Sequence, residues 1–142
     1  MKISPNAPCP CHSGAKYKKC CRPYHNGTPA PTAEALMRSR YSAYVLNRAD
    51  YIMQTTDPNG PMWQTDSDAW RAALEGFSRQ TRFVGLTILA VDADTVTFHA
   101  ALFQDTRDVS FTEISVFRQR GGRWLYVSAL ETKSATREQT ER

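Results

Sequence analysis

Hydrophobic positions follow two different periods along this chain, and the change between them predicts its elements. The apolar residues of segment 32–48 that recur at helical spacing are Leu36, Met37, Tyr41, Tyr44 and Val45. Thr32 is a typical N-cap, and Glu34 lies in the first turn, where the helix dipole favours an anion. We therefore expect an amphipathic helix of about four turns, followed by a shorter helical segment over Ala49–Thr55.

A second helix is predicted in the stretch TDSDAWRAALEGF. Asp66 or Ser67 caps it, and Gly76 lies near its end. Its apolar stripe consists of Trp70, Ala73, Leu74 and Phe77. The turn-forming sequence DPNGP at 57–61 separates it from the preceding helix.

Beyond residue 82 the period changes to two, which is typical of strands. The predicted strands, rich in β-branched and aromatic residues, are Phe83–Val91, Thr95–Phe103, Asp108–Arg120 and Arg123–Glu131. Gly121 and Gly122 tolerate positive φ and indicate a two-residue hairpin turn between the last two strands. Residues 133–142 have no apolar pattern and are expected to form a flexible tail.

The hairpin also predicts a strand register. The expected cross-strand pairs are Phe117 with Tyr126, Ser115 with Ser128, and Glu113 with Leu130. The opposite face would carry Ile114, Val116, Leu125 and Val127. Because both faces are partly apolar, we expect helices to cover one face, and a homodimer is a reasonable expectation for the other.

Helices followed by an antiparallel meander indicate an α+β fold, in which the helices cover one face of a curved sheet. The 142 residues suffice for one ordinary domain and a small appendage. A hydrophobic content of 41% with 23% charged residues is typical of a globular protein rather than a disordered one.

Neither a membrane nor export is indicated. No apolar run approaches the roughly 20 residues that a membrane helix requires. The N-terminal sequence MKISPNAPCP lacks the apolar centre of a signal peptide. We therefore expect a cytoplasmic protein whose thiols stay reduced.

The positive charge is concentrated at one end of the chain. Residues 1–31 hold five Lys and Arg and no acid, whereas the net charge of the whole chain is +4. The body is thus close to neutral, and the basic excess surrounds the cysteines. Residues 22–32, RPYHNGTPAPT, contain three prolines and are interpreted as a short, stiff linker that follows them.

All four cysteines lie in the stretch CPCHSGAKYKKCC, as Cys9, Cys11, Cys20 and Cys21. A tight turn lets the first two bind one ion, and the second two approach from the other side. Four thiolates are the usual ligands of a closed, structural Zn²⁺ site, which leaves no open position for catalysis. The nearby Lys16, Lys18, Lys19 and Arg22 would offset the negative charge of such a site.

Other interpretations of the cysteines remain open. A disulfide framework requires an oxidising compartment, and neighbouring cysteines are poorly placed to bridge each other. A redox C-x-x-C motif is absent, and the spacing differs from familiar iron–sulfur patterns. His12 or His25 is an alternative ligand, although four thiols already fill the coordination shell.

The cysteine stretch resembles the SEC-C motif, the zinc knuckle at the C-terminus of the SecA translocase motor. The motif positions that match are Cys9, Pro10, Cys11, Ser13, Gly14, Tyr17, Lys18, Cys20 and Cys21. His12 replaces the usual glycine of the motif. By analogy with SecA, the resemblance implies a knuckle that docks on a protein partner such as a chaperone or the ribosome.

A second resemblance covers nearly the whole chain. The segments CCRPYHNG and PTAEALMRSRYSAYVLNRADYIMQTTDP, and the pattern E-x-S-x-F before GGRWLYV, resemble the YchJ-like uncharacterised protein family. That resemblance implies a cone-shaped α+β domain similar to nuclear transport factor two. Some relatives carry a second knuckle, but this chain has no cysteine after Cys21. We therefore expect a knuckle over residues 1–27, a cone over 28–132 and a tail over 133–142.

A cone of this kind commonly encloses a cavity between its helices and its sheet. The expected lining residues are Tyr41, His99, Glu113, Ser115, Phe117, Trp124 and Tyr126. Glu113 is the most suggestive, because a carboxylate beside aromatic side chains has the surroundings of a general base; an ion pair with Arg38 or Arg40 is the structural alternative. One of these arginines is also a candidate anion ligand at the cavity mouth, unless both are solvated or paired.

Two functions follow from these features, and a structural scaffold whose zinc only holds the N-terminus in place stays open as a third interpretation. The favoured one is a zinc-binding interaction module whose basic knuckle docks on a protein. Nucleic acid is the less favoured partner, because five positive charges with only Tyr17 and Tyr24 for stacking make a small interface. The alternative is a small-molecule-binding or enzymatic cone with a cavity near Glu113. A binder is favoured over a catalyst, since no second acid or base completes a mechanism.

Overall fold

The computed structural model describes residues 3–134. After a short 3₁₀ turn at Tyr17–Lys19, the helices are α1 (Arg22–His25), α2 (Ala33–Val45), α3 (Ala49–Gln54) and α4 (Ser67–Gln80). The strands are β1 (Arg82–Val91), β2 (Thr95–Gln104), β3 (Arg107–Asp108), β4 (Phe111–Arg120) and β5 (Arg123–Ser134). Within these residues, no helix is both long enough and apolar enough to cross a membrane.

Both predicted helix caps are confirmed. The Thr32 hydroxyl accepts a hydrogen bond from the N–H of Ala35 at 3.0 Å, and the Asp66 carboxylate accepts one from the N–H of Ala69 at 3.1 Å. Each cap satisfies a backbone donor that has no partner inside the helix. Helix α4 continues past Gly76 to Gln80, so this glycine lies inside the helix.

The sheet confirms the α+β class. Its strands are antiparallel in the order β1-β2-β4-β5, and β3 pairs with β2. The predicted strand over residues 108–120 is interrupted at Val109 and Ser110, where the Ser110 hydroxyl accepts a hydrogen bond from the N–H of Leu102 at 2.9 Å. Strand β5 extends to Ser134, so the first two residues of the predicted tail belong to the sheet; residues 135–142 lie outside the described part.

The hairpin is confirmed, but two of the three predicted pairs are wrong. Phe117 pairs with Tyr126 as expected, whereas Ser115 pairs with Ala129 and Glu113 pairs with Thr132. The register shifts twice because β5 contains two residues without a partner in β4, Val127 and Leu130. Each such bulge moves the following side chains by one position relative to β4. Leu130 is consequently 69% exposed and does not face the helices.

The knuckle packs against the cone. Cys9, Cys11, Tyr17 and Cys21 belong to the same buried cluster as Leu36 on α2. The predicted linker is shorter than expected, because residues 22–25 form α1. Its last residue, His25, is buried, and its ring lies 2.8 Å from the Ser39 carbonyl oxygen of α2.

Candidate metal centre and cavity

The four cysteine sulfurs form one cluster. All four Sγ atoms lie within 4.8 Å of one another. Sγ of Cys20 is 3.6 Å from that of Cys11 and 4.0 Å from that of Cys21. A tetrahedral ion with metal–sulfur bonds of about 2.3 Å separates its sulfur ligands by about 3.8 Å. The cluster therefore fits a metal ion, and no disulfide joins the four cysteines.

A short two-stranded loop brings the two halves of the cluster together. The N–H of Cys9 donates to the Ala15 carbonyl at 2.8 Å, and the N–H of Tyr17 donates to the Ala7 carbonyl at 2.9 Å. Between them the chain reverses at His12, with φ of 63°, and Gly14, with φ of 90°. His12 thus occupies the left-handed conformation that explains why the SEC-C pattern has glycine at this position.

Neither histidine of this region belongs to the cluster. The His12 ring packs edge-on against Tyr41, with the ring centroids 5.9 Å apart. Both ring nitrogens of His25 already have partners, since Nδ1 lies 2.6 Å from the Tyr17 hydroxyl and Nε2 lies 2.8 Å from the Ser39 carbonyl oxygen. These positions are structural, and the donor set consists of sulfur alone.

Positive side chains surround the cluster. Lys16, Lys18, Lys19 and Arg22 are all exposed. Arg38, on α2, reaches in from the cone and donates to the Cys11 carbonyl at 3.1 Å while it pairs with Glu34 at 3.2 Å. Hydrogen bonds from the Cys21 and Cys9 thiols lower the pKa of Cys11. The same hydrogen bonds raise the pKa of Cys9 and Cys21, so thiolate character is concentrated on Cys11, and the surrounding cations compensate its charge.

A cavity of about 370 Å³ lies between α2, α4 and the concave face of the sheet. Of the residues expected to line it, Tyr41, Glu113, Ser115, Phe117 and Tyr126 do so. Its walls are mostly aromatic and aliphatic. Met62 and Gln64, which are exposed, lie where the cavity meets the surface.

His99 and Trp124 are not among the lining residues, and both placements correct the expectation. Strand β2 turns Phe98 and Ala100 towards the cavity, so His99, between them, points to the other face of the sheet. There its Nδ1 lies 2.9 Å from the Thr112 hydroxyl. Trp124 lies at the hairpin end, where its indole N–H donates to the Pro31 carbonyl at 3.3 Å.

Glu113 is held by hydroxyl groups. Its Oε2 accepts hydrogen bonds from Ser115 and, at 3.1 Å, from Tyr126, and Thr132 lies 3.4 Å from Oε1. Burial, and secondarily the charge of Glu113, raise the pKa of Tyr126, so its hydroxyl keeps its proton and donates. Neither Arg38 nor Arg40, the two expected ion-pair partners, is paired with this carboxylate.

Arg40 supplies the second charge of the cavity. The sequence left open whether Arg38 or Arg40 faces this space, and the structure places Arg40 there. Its Nη1 lies within 3.2 Å of three acceptors in and after α3, the Ile52 carbonyl and the hydroxyls of Thr55 and Thr56. Its guanidinium carbon stands 4.6 Å from the centre of the Tyr126 ring. Tyr126 therefore contacts both charged residues.

Sequence reasoning missed Tyr44 and Thr132 in this region. Tyr44 lines the cavity, and burial raises the pKa of its hydroxyl. Its position four residues after Arg40 was a usable signal, since residues at this spacing share one face of a helix. Thr132 had no signal, because only the two bulges of β5 bring it opposite Glu113.

The fold and the cysteine cluster define a class of protein in which a cysteine knuckle precedes a cone-shaped α+β domain. Residues 6–23 match the SEC-C motif, and residues 32–129 match the family described as "YchJ, middle NTF2-like domain". The chain belongs to this YchJ-like family. It is 41% identical over 129 residues to a UPF0225 protein of Deinococcus radiodurans, covering 89% of this chain and 92% of the relative.

Other relatives and two solved structures agree with this assignment. A UPF0225 protein of Actinobacillus succinogenes is 39% identical over 128 residues, covering 85% of this chain and 80% of the relative. The solution structure of a SEC-C motif containing protein from Rhodopseudomonas palustris is similar with a TM-score of 0.71 and 32% identity, over 91% of this chain and 99% of that one. A crystal structure of a sec-c motif containing protein from Psychrobacter arcticus has a TM-score of 0.65 and 27% identity, over 89% and 84%.

Proposed function

We propose that this protein binds a small molecule in the cavity of its cone, and that one Zn²⁺ ion organises the knuckle beside it. The observation that carries the proposal is the cavity of about 370 Å³, whose mostly apolar walls also present Glu113 and Arg40. A cavity of this size with a few convergent polar groups is typical of ligand sites. A filled cone would have argued for a purely structural domain.

Ligand-observed and protein-observed NMR with a library of small ring compounds tests the cavity. We expect compounds that shift the signals of Phe98 and Phe117. Ala100 is 2% exposed and lines the cavity, so Ala100→Phe should fill it and abolish the binding. Ala90→Phe, the same change at an exposed position of β1, is the matched control. If no compound bound, or if Ala100→Phe bound as wild type does, the cavity would not be a ligand site.

Zinc is the metal that we propose for the knuckle. Thiolate-only tetrahedral sites are typical of structural Zn²⁺, and such a site needs reduced cysteines, as in the cytoplasm. Elemental analysis of protein purified under reducing conditions should find one zinc per chain. Cys20→Ser should lower that content, whereas Ser13→Ala should keep it, because it removes a hydroxyl that contacts the Cys20 sulfur and accepts from the N–H of Ala15 but leaves every thiol in place. Iron or no metal in the wild-type protein would contradict the proposal.

Docking of the knuckle on an acidic protein surface is a second proposal. Its support is the exposure of Lys16, Lys18 and Lys19 on one short segment. Protein is favoured over nucleic acid because Tyr17, one of the two nearby aromatic residues, is buried and unavailable for stacking. Binding to purified ribosomes and chaperones should weaken in the variant Lys18→Glu/Lys19→Glu. Binding that the charge reversal leaves unchanged would argue against this role.

A homodimer also stays a prediction. The exposed apolar residues Val84, Leu89, Val91 and Leu130 lie on β1 and β5, the two edge strands of the sheet. Edge strands offer both apolar surface and unpaired backbone groups to a second copy. Sedimentation equilibrium over a range of concentrations measures this association directly, and a monomer at all concentrations would contradict it.

A further inference from the structure

The charged groups of the cavity lie together on one wall. Tyr126 connects them, since its hydroxyl donates to Glu113 at 3.1 Å and its ring lies under the guanidinium of Arg40, 4.6 Å away. Tyr44 belongs to the same group, because both Arg40 and Glu113 act on its pKa, although burial is the larger effect. The remaining walls are dominated by rings, including Phe77, Phe83, Phe98, Phe111 and Phe117.

This wall presents both an acceptor and donors to the cavity. A carboxylate offers about four lone-pair sites, and the hydroxyls of Ser115, Tyr126 and Thr132 approach three of them on Glu113. Arg40 directs Nη1 at protein acceptors, while its Nε and Nη2 carry three further N–H donors. A ligand that fits this wall therefore needs an N–H for Glu113 and a carbonyl oxygen for Arg40.

The ligand should carry no net charge. Glu113 and Arg40 have opposite charges, so the wall as a whole is neutral. An anion or a cation would match one of the two and oppose the other, inside walls that solvate charge poorly. A zwitterion could match both, but both of its charges would be removed from water.

We propose that the cavity selects an uncharged, planar ring compound with an amide-like edge, in which an N–H lies beside a carbonyl. This inference rests on the proposed small-molecule function. The N–H donates to Glu113 and the carbonyl accepts from Arg40. The ring plane packs against the phenylalanines, which favour edge-on and offset contacts with another ring. Lactams fused to an aromatic ring are the simplest members of this class.

Four probes of similar size test the inference. Carbostyril is a bicyclic lactam with the required edge, and quinoline has the same shape without the N–H and carbonyl pair. Naphthoate supplies an anion, and free tryptophan supplies a zwitterion. Dissociation constants are measured by NMR titration of the metal-loaded full chain. Because hydrogen bonds to charged groups are stronger than those between neutral groups, carbostyril should bind at least about tenfold more tightly than each of the other three.

Variants test whether the preference for carbostyril comes from the charged wall of the cavity. Glu113→Leu removes the acceptor and should make carbostyril and quinoline bind about equally. Glu131→Gln, on the neighbouring strand and exposed, should keep the tenfold preference. Circular dichroism shows whether the Glu113→Leu variant folds. If it does not, Glu113→Gln is measured instead; it keeps the side-chain shape, removes the charge and should reduce the preference for carbostyril over quinoline.

The outcomes separate this inference from the proposed function. If no probe shifts the signals of Phe98 or Phe117, both the cavity function and the inference fail. If quinoline, naphthoate or tryptophan binds as tightly as carbostyril, the cavity function stands and the amide-like class is wrong. A preference for carbostyril that survives loss of the Glu113 side chain also overturns the assignment of the wall.

Discussion

At the scale of single residues, Asp57 is a buried charged group of the cone that depends on its ion-pair partners. Its side chain is fully buried, with Arg118 at 3.5 Å and Arg120 at 3.4 Å from its carboxylate oxygens. Its Oδ1 accepts the N–H of Asn59 at 2.9 Å, and its own N–H donates to the Tyr126 carbonyl at 2.8 Å. The turn after α3 is thereby attached to β5, beside the cavity wall.

We expect Arg118→Gln/Arg120→Gln to lower the free energy of unfolding by about 1–2 kcal/mol, because a buried carboxylate loses its charged partners. The value is small since both arginines are about half exposed and partly screened by water. Adding Asp57→Asn should recover part of the loss, because the amide keeps an acceptor without the charge. Urea unfolding measures each step, with Arg123→Gln on the same hairpin as control. Additive losses would contradict the ion-pair interpretation.

His25 provides a prediction on pH. Burial, the largest effect, lowers its pKa below the usual value of 6.5. The unfolded chain therefore takes up a proton near pH 6.5, whereas the folded protein does so only at lower pH. The stability is complete above pH 6.5 and is lost as the pH falls towards the folded value, by at most about 1.4 kcal/mol per pH unit.

Urea unfolding between pH 7.5 and pH 5.5 measures this loss, and we expect a shallower dependence in His25→Gln than in wild type. His99→Gln, at a half-buried histidine on β2, is measured in parallel as the histidine control. Metal content is followed at each pH, so that release of an ion is not mistaken for protonation of the imidazole. Equal slopes in His25→Gln and wild type would contradict the assignment to His25.

At the scale of elements, the β4–β5 hairpin depends on its two glycines. Gly121 and Gly122 have φ of 57° and 78°, the left-handed conformation that a two-residue turn between twisted strands requires. Gly121→Val should destabilise the protein by about 1–2 kcal/mol, because a β-branched residue is strained there. Gly121→Asn should cost far less, since asparagine tolerates this region. Thermal unfolding compares the two variants, and equal losses would contradict a conformational cause.

The same hairpin shows how far the sequence could predict the fold. Local chemistry was sufficient for the caps at Thr32 and Asp66, the turn at Gly121–Gly122 and the first pair, Phe117 with Tyr126. The pairs beyond were wrong because the bulges at Val127 and Leu130 have no residue signature. A bulge is set by the curvature that the whole sheet needs, which an alternating pattern does not encode.

The candidate site was predictable to a similar degree. The cysteine spacing was enough to predict one cluster, because all four ligands lie on one short segment. The cavity was only partly predictable: period two places Glu113, Ser115 and Phe117 on one face, but it does not say which face of β2 carries His99. That choice depends on how β2 pairs with β4, a contact between distant segments.

At the scale of the whole molecule, the knuckle and the cone share contacts that a tether would not provide. Arg38 donates to the Cys11 carbonyl, His25 contacts Ser39, and Arg48 lies 3.4 Å from the His25 carbonyl oxygen. Helix α2 therefore contacts the cysteine cluster on one side and lines the cavity on the other. Tyr41 joins the two, because it packs on His12 and also donates to the Gly85 carbonyl at 3.2 Å.

This arrangement predicts that loss of the metal site destabilises the cone itself. Cys20 is the one partly exposed cysteine, so Cys20→Ser removes a ligand with little change in packing. Because metal binding contributes directly to folding, we expect the cone to melt about 5 °C or more below wild type. The readout is the near-ultraviolet circular dichroism of the three tryptophans, which all lie outside the knuckle; Trp70, buried on α4, packs on Trp63.

Ser13→Ala is the matched control, since it removes a hydroxyl 3.1 Å from the Cys20 sulfur and leaves all four cysteines in place. It should melt within about 1 °C of wild type, because changes at an exposed side chain are usually small. A chelator added to wild type should reproduce the shift of Cys20→Ser and leave that variant unchanged. If the tryptophan signal melted at the wild-type temperature in Cys20→Ser, the knuckle would be an independent unit, and its contacts with α2 would contribute little to the stability of the cone.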